Sequence, residues 1–202
     1  MISRRTLLSI PFMLALGGCA TDGSNSAAEA SSDAAGIILP KIYPDFSIGE
    51  TLSAEQVLSF KFSRDAIAEG APANLPPLSS RLVLKGDSLE MAISEKNVSV
   101  WHIHASPSGI QESRNPILDS HVQAQNLLRD ITFCLWPEES LRSIIAKAGP
   151  CPSGEPLRLV VGADSRRLYA GSLIALEMQK RGSVTTLKSH TEGYALRMQT
   201  MA

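Results

Sequence analysis

The run Trp101-His102-Ile103-His104 sets two imidazoles two positions apart, on one face of a strand and near enough to share a metal ion. Zinc takes four ligands, at least three of them from protein, and no acidic or histidine partner stands at an interpretable spacing. The pair therefore reads as two polar wall residues beside Val98 and Val100. His121 and His190 stand singly in loop-like surroundings and read as surface histidines. Ser106-Pro107-Ser108-Gly109 and Cys151-Pro152-Ser153-Gly154 both lack the strand–turn–helix setting of a hydrolase nucleophile, and no G-x-S-x-G elbow, phosphate loop or dinucleotide fingerprint occurs. Glu138-Glu139 is the one acidic doublet, and the positive start of a helix accounts for it. These residues point to no catalytic group, no metal and no cofactor, and the chain reads as a non-enzyme.

The cysteines carry a different chemistry. Cys19 ends the opening segment MISRRTLLSIPFMLALGGC, in which Arg4 and Arg5 precede an apolar stretch from Leu7 to Gly18. That is the organisation of an export signal. The stretch is shorter than the roughly 20 residues a bilayer core requires. Leu16-Gly17-Gly18-Cys19 resembles the lipobox of bacterial lipoproteins, which implies acylation of Cys19 and attachment to a membrane through acyl chains. Ala20 in place of aspartate implies, by the same resemblance, the outer membrane and its periplasmic face. General secretion and the twin-arginine route both remain open for the Arg4-Arg5 pair. In an oxidising compartment Cys134 and Cys151 are expected to form a disulfide, and closing such a loop would add roughly 3 kcal/mol. The alternative is Cys134 as a small buried hydrophobe and Cys151 free in its Gly-Pro-Cys-Pro turn.

The elements that would position these residues are mostly strands. The chain has 202 residues, 44% apolar, which suits one domain. Residues 19–36 are rich in Ser, Ala, Gly and Asp and read as a flexible tether; the domain spans 37–202. Period-two alternation puts Gln56, Leu58, Phe60 and Phe62 on one face, Leu82 with Leu84, and Leu89 with Met91 and Ile93 across a Gly86-Asp87 turn. Ile174, Leu176 and Met178, and then Tyr194, Leu196 and Met198, repeat the pattern. This predicts an α+β, mainly β fold whose antiparallel meander has one apolar face.

Between the strand groups, Asp119 or Ser120 can cap a helix bearing Ala124, Leu127, Leu128, Ile131 and Leu135 on one stripe. Pro137 fits the first position of a second helix with Leu141, Ile144, Ile145 and Ala148. Helices this short need an apolar surface to lie on. The interior they would enclose with the sheet is aliphatic, and periodicity alone accommodates either a closed core or an acyl-chain cavity. The 19 basic and 20 acidic side chains carry no nucleic-acid footprint.

The runs LLRDITFCLWPEESLRSII, SRRLYAGSLIALEM and TLKSHTEGYALRMQTM, within Arg81 to Ala202, resemble a family of outer-membrane lipoproteins encoded with aryl-polyene and xanthomonadin-type pigment genes. Its members are similar to the LolA/LolB lipoprotein carriers. The resemblance implies a curved sheet forming an incomplete barrel, covered by two helices over a hydrophobic cavity. The cavity would be lined by Leu58, Phe60, Leu82, Leu84, Leu89, Met91, Ile93, Ile174, Leu176, Met178, Leu196 and Met198. Its lid would comprise Leu127, Ile131, Leu135, Trp136, Pro137, Leu141, Ile144 and Ile145. LolB carries a protruding loop with an exposed leucine, and Leu75 and Leu78 are the positions available for one here. The implied role is to bind a lipid or other hydrophobic ligand for delivery to the outer membrane, with an envelope transport partner. The alternative is a non-catalytic scaffold lipoprotein with a closed core.

Overall fold

The computed structural model describes residues 36–46, 51–116 and 118–201, so the export signal, Cys19 and all of the tether before Gly36 lie outside the described residues. Five strands precede the helical connection: β1 (Leu52–Phe62), β2 (Leu78–Lys85), β3 (Ser88–Glu95), β4 (Val98–Ser106) and β5 (Gly109–Arg114). Five follow it: β6 (Leu157–Val161), β7 (Ser165–Ala170), β8 (Leu173–Arg181), β9 (Val184–Ser189) and β10 (Tyr194–Thr200). They form one antiparallel sheet in the order β5-β4-β3-β2-β1-β10-β9-β8-β7-β6. Two meanders are thus joined along β1 and β10, in register from Gln56 opposite Thr200 to Phe62 opposite Tyr194. The sheet does not close; β5 and β6 are its edges. The fold is α+β, mainly β, an incomplete barrel.

The alternation read from sequence places the expected rows. Leu58, Phe60, Leu82, Leu84, Leu89, Met91, Ile93, Leu176, Met178, Leu196 and Met198 are all buried in one cluster. The outer face is wet and carries Glu90 with His102 and His104, Arg81 with Glu55, and Arg167 with Glu177. Tight two-residue turns set the register. At Lys96 and Asn97 both φ angles are positive, at 47° and 68°, as the twist of a two-residue hairpin demands.

Ile174 departs from expectation. The β7–β8 register pairs Leu168 with Leu176 but Tyr169 with Ile174, so Ala175 is an extra residue on β8. Such a bulge reverses the alternation beyond it. Ile174 therefore shares the outer side with Tyr169 and is only half-buried, while Leu173 lies opposite the buried Ala170.

Two strands escaped the periodicity. On β5 the inward positions, opposite Ile103 and Trp101, are Glu112 and Arg114; on β7 Arg166 shares the face of Leu168 and Ala170. Charged residues at inward positions erase the apolar alternation, and inward charges on edge strands discourage pairing between molecules.

The long connection from Ser63 to Ser80 is shorter and more ordered than its composition suggests. It contains a one-turn helix α1 (Arg64–Ala68), capped by the Ser63 hydroxyl, and a bridge from Lys61 to Asn74. Leu78 already belongs to β2 and is 1% exposed, and Leu75 packs on the core. Neither protrudes; the exposed apolar side chain of this connection is Ile67.

Candidate functional site

The helical connection supplies α2 (Ala124–Leu135) and α3 (Glu138–Ala148). α2 starts at Ala124, with Gln123 as its N-cap, later than Asp119 or Ser120 would have set it. The Asp119 carboxylate instead accepts from the backbone N–H of His121 at 2.8 Å and contacts that residue's ring at 2.6 Å. An Asx turn of this kind competes with helix initiation. Trp136 closes α2 in extended conformation, as a residue before proline must. Pro137 is the N-cap of α3, one place before the expected first helical position, and its side chain is exposed.

Leu127, Ile131, Trp136, Leu141, Ile144 and Ile145 are all buried with the inner face of the sheet, and Leu135 is half-buried against it. The helices therefore roof the aliphatic face. α2 is more than a one-sided lid, since every residue from Leu127 to Cys134 is buried. The segment 36–46 accounts for the other side. Its Leu39 and Ile42 enter the same core, Gly36 to Pro40 and Ile42 line a cleft with Gln125, Asn126 and Arg129, and the Asp45 carbonyl accepts from Trp136 Nε1 at 3.0 Å.

Three arginines fasten α2, and sequence reasoning singled out none of them. Arg114 of β5 donates to the carbonyls of Val122 at 2.6 Å and Asp119 at 3.2 Å, immediately before the helix. Its guanidinium lies 3.8 Å over the Trp101 ring, whose Nε1 donates to Glu112 at 2.7 Å. Arg166 of β7 donates to the carbonyls of Phe133 at 2.6 Å and Cys134 at 3.3 Å, which are unpaired because the helix ends there. Burial lowers the Arg166 pKa from its ordinary value, and nearby Cys134 and Glu138 partly offset this.

The third, Arg129, sits in the middle of α2 and is 3% exposed. It donates to both Glu192 oxygens, at 2.7 and 2.8 Å, and to Asp130 at 2.8 Å. Tyr194 donates its hydroxyl to the other Asp130 oxygen, and Ser189 and Thr191 donate to Glu192. Glu192 and Tyr194 flank Gly193 in the β9–β10 turn. Gly193 has φ +67°, a Cβ there would lie 2.8 Å from Ser63 Oγ, and its carbonyl accepts from Ser63 N–H at 2.7 Å. The turn is thus held against the end of β1, and through Arg129 the helix is held to the turn.

Burial pushes the Asp130 pKa up to about 6, against the downward pull of Arg129 and the Tyr194 hydroxyl. For Glu192, burial pulls upward, but the Arg129 hydrogen bonds and charge prevail and hold its pKa below the ordinary value. Burial and the Asp130 carboxylate raise the Tyr194 phenol. For Arg129, burial works against the cation, yet Asp130 and Glu192 outweigh it and the pKa rises.

The sign for Asp130 follows from its raised folded value. Between about pH 4 and 6 the folded chain holds a proton that the unfolded chain has released, so this group's contribution to stability falls as pH rises through that window. Glu192 acts in the opposite sense, adding stability above its unfolded pKa and losing it as the medium becomes acidic. Asp130→Asn is accordingly expected to give a curve of unfolding free energy against pH that, relative to the unaltered protein, lacks a downward component between pH 4 and 6. Urea titrations at half-unit pH steps measure this, and parallel curves for the two proteins would refute it.

The expected disulfide is absent. Cys134 and Cys151 are both free and buried. Cys134 is in the last turn of α2, whereas Cys151 follows the far end of α3, whose 11 residues span about 16 Å. A disulfide tolerates about 7 Å between Cα atoms. Burial, with Asp130 adding to it, pushes the Cys134 thiol well up.

His102 and His104 lie 3.6 and 3.5 Å from the two oxygens of Glu90 on the wet face, and among the described residues no group of three or more potential ligands is disposed to hold a metal. His121 is exposed, as expected. His190 is not a simple surface residue: it is half-buried, its Nε2 is enclosed, and burial lowers its pKa.

Openings flank the roof. One, of about 720 Å³, lies between β5 and the start of α2 and is lined by Tyr43, Ile110, Glu112, Arg114 and Ala124. Another, of about 490 Å³, lies between α3 and edge strand β6, where Ile145, Leu157 and Leu159 meet Arg142 and Arg158. Both have the size of small-molecule sites. No helix among the described residues is long and apolar enough to cross a membrane.

No curated protein matches the chain. A family model does match, over residues 53–202, which takes in the whole sheet except the first residue of β1, together with the roof and its three arginine fastenings. The chain belongs to the family described as "Protein of unknown function (DUF3261)".

Proposed function

We propose that the protein is a periplasmic carrier of a lipid or other hydrophobic molecule, tethered to the outer membrane by acyl chains on Cys19. The observation that carries this reading is the aliphatic inner face of the sheet, roofed by a helix that polar contacts fasten before its start, at its middle and at its end. Buried ion pairs define position more than they add stability, because desolvation offsets most of their attraction. A roof held this way has one closed position and can be displaced without dismantling the sheet. Covering a hydrocarbon chain under it would gain about 25 cal/mol per Å² of apolar surface removed from water. The likeness to the LolA/LolB carriers and to lipoproteins encoded with aryl-polyene genes supports the same role, with an envelope transport partner and a polyene-bearing lipid as a candidate cargo.

Native mass spectrometry of the detergent-free protein tests this. The expected spectrum contains a co-purifying hydrophobic molecule, or shows uptake of palmitate or phosphatidylethanolamine when these are offered. An unliganded mass under both conditions overturns the proposal.

A further inference from the structure

Two polar side chains face the aliphatic interior without a partner. Gln56 of β1 and Ser80 of β2 stand directly opposite each other in the ladder, on the buried face that also carries Leu58 and Leu82. They are 2% and 4% exposed. Gln56 Oε1 and Ser80 Oγ make no hydrogen bond with any described residue. Their row continues through Ile93 and Trp101, opposite Ser80 and Ile93 respectively. A buried donor or acceptor left unmet costs about 1–3 kcal/mol, and two leucines would fill these places without that cost. The remainder of the row is apolar up to Arg114, whose guanidinium is already engaged by the Asp119 and Val122 carbonyls and the Trp101 ring. No uncommitted charge is therefore at hand to receive a charged head.

We infer that Gln56 and Ser80 are a binding site for the polar end of the cargo, and that the cargo is an uncharged long-chain molecule bearing a hydroxyl. That hydroxyl donates to Gln56 Oε1 and shares a second hydrogen bond with Ser80 Oγ, while its chain lies along Leu58 and Leu82. The inference rests on the carrier reading above and adds a chemical class to it.

The test uses the full chain and displacement of the fluorescent probe N-phenyl-1-naphthylamine by 1-dodecanol or by dodecyl methyl ether, which keeps the chain and the oxygen but has no O–H. The alcohol is expected to displace the probe at about tenfold lower concentration than the ether. Gln56→Met with Ser80→Ala should erase that difference, keep probe binding, and leave the melting temperature of the unliganded protein equal or higher. Ser80→Ala alone should narrow the difference and serves if the double variant does not fold.

Equal displacement by alcohol and ether in the unaltered protein overturns the hydroxyl site and leaves the carrier reading standing. Failure of the probe and of both alkyl compounds to bind overturns both. A lower melting temperature in the variants with the alcohol preference intact shows a structural polar pair, and also overturns the inference.

Discussion

Arg129→Met is expected to destabilise the protein by about 3–5 kcal/mol, the range for removing one partner from a buried ion cluster. The methionine fills much of the space but leaves Asp130, fully buried, and Glu192 facing each other without a cation. Both carboxylates would then favour protonation. For a domain of this size the loss corresponds to a melting-temperature drop on the order of 10 °C. Arg129→Lys should recover part of it, since an ammonium restores the charge without the two-pronged contact to Glu192. The informative contrast is a triple replacement of Arg129, Asp130 and Glu192 by Met, Leu and Leu. If the cluster serves to position the roof, this variant unfolds near the original urea midpoint yet retains bound ligand poorly. A single Arg129→Met variant that melts with the unaltered protein would refute the clasp altogether.

Trp136→Ala should cost a similar amount, about 3–5 kcal/mol, for a different reason. The ring is 0% exposed at the elbow of α2 and α3, so truncation opens a cavity the size of an indole and removes the donor to the Asp45 carbonyl. Trp136→Phe keeps most of the apolar contact and loses that hydrogen bond, for about 1 kcal/mol. The two effects are separable by hydrogen exchange. Both variants should speed exchange in residues 36–46, because that segment's tie to the elbow is gone, whereas only the alanine variant should also expose α2 and α3. Unchanged exchange at 36–46 in Trp136→Phe would show that the segment is held independently of the elbow.

The two variants probe different parts of one device, and their legibility in sequence differs. Trp136-Pro137 could be recognised as an elbow because a residue before proline is driven out of the helical region, a purely local effect. The apolar stripes of α2 and α3 were equally readable, being a matter of 3.6-residue spacing. Arg129 and Asp130 were opaque: in the run LLRDITF they look like the solvated side of an amphipathic helix. Their burial depends on the segment 36–46 and the turn at Glu192, the latter more than 60 residues away. A signal did exist, in the absence of any charge from Ile131 to Pro137, but it did not name the partners.

What the sequence by itself determined is whatever depends on neighbours along the chain. Strand alternation, the two-residue turns and the elbow are set by backbone sterics and side-chain period, and so the one-sided antiparallel sheet and its two helices could be read directly. Only the tertiary structure decided the rest. The bulge at Ala175 turned Ile174 outward, the length of α3 separated Cys134 from Cys151, and inward charges hid β5 and β7. It alone brought Arg114, Arg129 and Arg166 from a strand, a helix and another strand onto one roof, and set Gln56 against Ser80 inside it. Long-range pairing balances desolvation against charge and space among groups distant in the chain, and no local pattern encodes that balance.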